Sequence, residues 1–158
     1  MKKIFILTLL VFSSCFSCCS KDDNLVVNVV NETIINPTLD NTSNKMKITI
    51  EGKVFNVTLS NNPSVTAFKA LLPLTLTMNE LNTNEKVYHL NTVLPTNSSP
   101  GGTIQVGDLM LYGNNALVLF YESFNTSYTY TRLGKVDDIS GFKTALGSGN
   151  VRVKFELQ

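Results

Sequence analysis

Cysteine is confined to Cys15, Cys18 and Cys19, and none occurs from residue 20 onward. The rest of the chain therefore has no disulfide, no thiolate nucleophile and no cysteine-based zinc site. Its folding must rest on core burial. Histidine occurs once, at His89. A lone histidine without cysteine cannot form a Cys–His pair, and it is weak support for a metal site, which needs three or four ligands. No Gly-x-Ser-x-Gly elbow supports a serine nucleophile. Charge is scarce as well. Thirteen basic residues face twelve acidic ones, and eleven face twelve once Lys2 and Lys3 are set aside. That balance leaves no electrostatic footprint for nucleic acid. The apolar run from Ile4 to Phe12 is far shorter than the roughly 20 residues needed to cross a bilayer.

The N-terminus has a short positive start, an apolar stretch and then small residues leading into cysteine, which is the order of a secretory signal. Ending on cysteine, it resembles a bacterial lipoprotein signal. In such proteins the cysteine takes lipid on its sulfur and becomes the new N-terminus. Cys19 is the candidate for lipidation, with Cys18 as the alternative. The tail Ser20-Lys21-Asp22-Asp23 is similar to the acidic stretch of surface-exported lipoproteins of the Bacteroides and Flavobacterium type. The resemblance implies export and a lipid anchor in the outer membrane, on either its inner face or the cell surface. Residues 1–18 would be the signal and residues 19–45, rich in Asn and Thr, a tether. Residues 46–158 would then be one domain of about 110 residues.

From Met46 the pattern alternates with period two. Ile48 and Ile50 point one way, a turn is expected at Gly52-Lys53, and Phe55, Val57 and Leu59 return. Asn62-Pro63 reads as a helix start, with Val65, Phe68 and Leu72 on one face and Pro73 as the stop. Strands are expected at 74–78, 86–90, 109–112, 116–121 and 128–136. Asp137 or Asp138 is expected to cap a second short helix through Leu146. Val151, Val153, Phe155 and Leu157 form the last strand, while Pro100-Gly101-Gly102 reads as a loop. Eight strands and two short helices predict a mainly β protein: a closed eight-stranded barrel whose ends the helices cap.

This order resembles cyclophilin, and more closely the small bacterial cyclophilin-like domain. The resemblance lies in the opening hairpin and helix from Met46 to Pro73, in Leu72-Pro73-Leu74-Thr75-Leu76-Thr77-Met78, in Gly107-Asp108-Leu109-Met110-Leu111-Tyr112, in Leu117-Val118-Leu119-Phe120-Tyr121 and in Arg132-Leu133-Gly134-Lys135-Val136. It implies prolyl isomerisation, in which an arginine weakens the double-bond character of the imide. The family's arginine follows Phe-His. Matching that pair to Tyr88-His89 puts Leu90 at the arginine position, and a slip of one puts His89 there. Counting back from Gly134, the proline-holding Phe falls at Leu117, the Trp near Asn125 beside Phe124, and the pocket His at Tyr130.

The missing arginine points away from catalysis. The resemblance thus implies a binding module for a peptide, a small molecule or an envelope protein, with no cofactor and no metal. Its groove would comprise Tyr88, His89, Leu117, Phe124, Tyr128, Tyr130 and Arg132. Alternation places Tyr128, Tyr130 and Arg132 on one strand face, outside the barrel if Leu133 points in. Aromatics with polar tips suit such a groove. The alternative is a divergent prolyl isomerase, for which His89 and Arg132 are the candidate catalytic residues.

Overall fold

The alternation that begins at Met46 becomes a hairpin. In the computed structural model, which describes residues 43–158, β1 (Lys45–Ile50) pairs antiparallel with β2 (Lys53–Leu59), and Ile50 lies opposite Lys53. The two-residue turn is Glu51-Gly52, with φ of 47° and 78°. Positive φ at both positions is what a tight turn matching strand twist requires. It falls one residue earlier than the sequence pattern predicted. Helix α1 (Pro63–Lys69) starts as expected. Asn62 accepts a hydrogen bond from the Val65 amide at 3.0 Å, and Pro63 takes the first turn. The helix ends at Lys69, with single-turn bonds carrying the chain on to Leu72.

The remaining elements are β3 (Leu74–Leu81), β4 (Glu85–His89), β5 (Ser99–Ile104), β6 (Asp108–Tyr112), β7 (Ala116–Phe120), β8 (Phe124–Val136), α2 (Phe142–Leu146) and β9 (Val151–Leu157). The described residues therefore hold nine strands where eight were expected. The extra one is β5, which takes the place of the expected loop at 100–102. The strand order is β2-β1-β9-β3-β4-β7-β6-β8-β5, and β2 also pairs with β8. Eight strands thus follow one another by hydrogen bonds back to β2, with β5 added on the outer edge of β8.

Helix α2 begins at Phe142, after Gly141 in the left-handed region. Neither aspartate caps it. Asp137 instead accepts from Thr58 Oγ1 at 2.5 Å and from Lys45 at 3.1 Å, and Asp138 accepts from the Ser140 amide at 2.8 Å. Both carboxylates are taken by nearer donors before the helix starts.

The main core lies on the sheet face shared with the helices. Ile48, Val57, Leu111, Leu117, Leu133 and Phe155 meet there with Phe68 of α1 and Phe142 of α2. Edge-on ring contacts join Phe68 to Phe155 at 6.1 Å and Phe55 to Phe142 at 5.1 Å. A second apolar cluster covers the opposite face. It contains Val87, Ile104, Met110, Val118, Phe120 and Tyr130. Strands β6 and β7 are consequently buried on both faces, apart from the exposed Tyr112.

Candidate functional site

Successive strand residues point to opposite faces, so β4 turns Glu85, Val87 and His89 one way and Lys86 and Tyr88 the other. Val87 lies opposite Val118, Val118 opposite Met110, and Tyr112 opposite Tyr130. These pairings extend one face across β4, β7, β6 and β8. The first half of β8 continues past the end of β6 with β5 as its paired strand. Between that half and β4 lies a groove of about 500 Å³. Val87, Ala116 and Val118 line it, with Phe124, Tyr128 and Tyr130 from β8. Leu81, Asn84, Glu85 and His89 line the β3–β4 side.

The aromatic rings form a continuous chain. Tyr128 meets Tyr112 at 5.9 Å, Tyr112 meets Tyr130 at 5.5 Å, Tyr130 meets Phe120 at 5.6 Å, and Phe120 meets Phe124 at 5.7 Å. Edge-to-face pairs of this kind add about 0.5–1.5 kcal/mol each beyond burial, which gives the groove a firm wall. Tyr130 is nearly buried, whereas Tyr128 is 63% exposed. Burial, with the Glu85 charge as a second cause, pushes the Tyr130 phenol up to about 12.

Glu85 is 8% exposed. It lies opposite Phe120 across the β4–β7 pair. Its carboxyl has no hydrogen-bond or ion-pair partner among the described residues. Burial, and then the charge of Glu80, push it up to about 6. The neighbouring Asn84 Oδ1 is buried and also without a partner.

On the other face of β4, Lys86 is fully buried. Its ammonium donates to the Glu80 carboxylate, to Gly147 O at 2.9 Å and to Gly149 O at 2.6 Å, and it sits 5.1 Å from the Tyr121 ring centre. Burial alone would raise Glu80. Hydrogen bonds from Lys86 and from the Tyr121 hydroxyl at 2.5 Å hold it below the usual carboxylate range.

Of the groove residues expected from sequence, His89, Phe124, Tyr128 and Tyr130 come together. Three do not. Tyr88 packs against the main core, because it alternates with Val87 and His89. Leu117 is fully buried in that core, opposite Tyr88. Arg132 donates to Asp108 Oδ1 at 2.8 Å, outside the groove. Asp108 is buried and also accepts the Gln105 amide at 3.0 Å, so it holds the guanidinium at the base of the β5–β6 turn. Leu90 lies in the main core, which leaves His89 as the member of the Tyr88-His89-Leu90 stretch that faces the groove. Sequence reasoning missed Glu85, Val87, Tyr112 and Val118. Counting back by twos from His89 would have found the first two. Cys18, Cys19 and the expected signal lie outside the described residues, as does the expected tether up to residue 42.

A mainly β sheet with two helices on one face and an aromatic groove on the other defines the class. Residues 48–156 match the model of the cyclophilin-like family, and the chain belongs to that family. The solution structure of a hypothetical protein from Archaeoglobus fulgidus is similar, with a TM-score of 0.51 and 17% identity. The match covers 72% of this chain and 94% of that one, and it supports the fold. No curated protein matches the chain.

Proposed function

We propose that this is a non-catalytic binding module of the cell envelope. Its domain is read as a closed barrel, with the ring of strand pairings as support. A peptide or a small molecule would lie in the groove lined by His89, Phe124, Tyr128 and Tyr130. Lipid on Cys19, or on Cys18, would tether the domain to the outer membrane by way of residues 20–45, with more than one acyl chain needed for firm anchoring. The observation that carries the non-catalytic reading is the position of Arg132. The guanidinium that would have to bond an imide nitrogen is instead committed to Asp108 outside the groove, and no arginine or lysine lines the groove among the described residues.

The test is an isomerase assay on the purified full chain with a proline peptide. No acceleration over the uncatalysed rate is expected. Acceleration that is abolished by His89→Ala or Arg132→Ala would establish the divergent isomerase instead. Labelling with a fatty acid tests the anchor: incorporation is expected in the wild type and is expected to fall in Cys19→Ser. Unchanged labelling in Cys19→Ser, with loss in Cys18→Ser, would move the anchor by one residue.

A further inference from the structure

We propose that the groove recognises an organic cation: an ammonium or guanidinium head set beside Glu85, with its apolar stem along the aromatic wall. This rests on the reading of the groove as a binding site and names the chemistry of its ligand. Three features converge on it. Glu85 is more than nine-tenths buried, lines the groove and has no partner. Its carboxylate oxygens open to the groove, since Asn84 Oδ1 is the one fully buried side-chain atom without a partner among the described residues; partly withdrawn from water and without a counter-charge, the carboxylate would gain one from a bound cation. The lining offers no lysine or arginine to compete. His89 faces the same way four residues along β4, roughly 13 Å from Glu85 at strand spacing. The wall beside Glu85 is aromatic. Phe124 and Tyr130 line the groove, and the fully buried Phe120, opposite Glu85 across the strand pair, packs behind both of them. Aromatic faces attract cations, most strongly where water is excluded.

Other ligand classes fit less well. A bare metal ion needs several oxygen ligands, and no cluster of three or more His, Cys, Asp or Glu side chains occurs among the described residues. An anion would meet Glu85 itself. The carboxylate can act only when ionised. Glu80 on β3, Tyr112 on β6, Tyr121 after β7, Tyr128 and Tyr130 on β8 and His89 on its own strand are the titratable groups around it. Lys86 points to the opposite face and is bound to Glu80. Affinity for the cation should therefore fall as pH drops through about 6.

The test uses the full chain in dodecyl maltoside at pH 7.5. The chain has five tyrosines and no tryptophan, and three of those tyrosines line the groove, so tyrosine emission reports on it. The probes are choline, its neutral isostere 3,3-dimethylbutan-1-ol, and Nα-acetyl-lysine amide, whose free ε-ammonium tests for a head carried on a peptide. Choline is expected to bind saturably, and the isostere roughly tenfold more weakly. Glu85→Gln is expected to lose the preference and Glu85→Asp to keep part of it, with circular dichroism confirming that both are folded. Choline affinity should weaken at pH 5 in the wild type but not in Glu85→Gln. Equal binding of choline and its isostere, or a preference unchanged in Glu85→Gln, would overturn the cation assignment while leaving a groove that binds neutral ligands. Saturable binding by neither cation would also overturn it. The isomerase assay judges the parent reading separately.

Discussion

At Glu85, burial leaves a carboxyl that is half-ionised near pH 6, against an ordinary 4.5. The folded form holds its proton more tightly than the unfolded chain does. The associated stability is present below about pH 4.5 and is lost as pH rises through about 6. Glu85→Gln should therefore raise stability by about 1 kcal/mol at pH 7.5, solvent in the groove screening part of the effect, and give no gain at pH 4. Urea titrations at the two pH values check this, and an equal gain at both would contradict it. Lys86, the next residue, is buried with every donor matched. Lys86→Met should cost about 3 kcal/mol, because the Glu80 carboxylate keeps only its Tyr121 bond and the Gly147 and Gly149 carbonyls lose their donor; the urea midpoint measures it. Neither environment was legible in the sequence. Alternation places the two residues on opposite faces, but the partners of Lys86 at Gly147 and Gly149 lie 61 and 63 positions away. Only the fold brings them together.

Among the elements, β5 is the one that local pattern could not show. Pro100, Gly101 and Gly102 are poor strand formers, and Ile104 is the residue of this strand that reaches the second cluster. The strand exists because the first half of β8 offers it an edge, and an irregular register between Pro100 and Gly102 accommodates the fit. Gly101 packs closely there: a Cβ would stand 2.7 Å from Thr126 Cγ2 and 3.1 Å from the Tyr130 ring. Gly101→Ala should thus push Tyr130 and weaken choline binding, with unchanged affinity as the contrary result. Gly134 allows an equally close approach where β8 meets β2. A Cβ would lie 2.7 Å from the Thr58 carbonyl oxygen. Gly134→Ala is expected to cost on the order of 1–3 kcal/mol by prising these strands apart, and a denaturant melt would show it. Helix α1 was readable, because Asn62, Pro63 and the apolar spacing act locally. The start of α2 was not, because Asp137 is drawn to Lys45 and Thr58, which lie 92 and 79 positions earlier in the sequence.

Across the molecule, two apolar clusters share one sheet, and this decides which site residues could be read. On β8, polar residues separate the apolar ones, and alternation placed Tyr130 on the groove face. On β7 the run Ala116-Leu117-Val118-Leu119-Phe120 is apolar throughout because both faces are buried. Period two then carries no sign that could check the count back from Gly134, which put Leu117 in the groove although it faces the main core. Leu117→Ala should cost about 2–5 kcal/mol and leave choline affinity unchanged while the protein remains folded. The cyclophilin-like order was visible along the domain because every strand but β5 left its own mark in the sequence. The central claim is that recognition takes place on the outer aromatic face, between β4 and the first half of β8. The most direct measurement is a nuclear magnetic resonance titration of the labelled protein with choline. Shifts confined to Glu85, Val87, Phe124, Tyr128 and Tyr130 are predicted. Shifts centred on Arg132 and Asp108, or spread through the main core around Leu117, would contradict it.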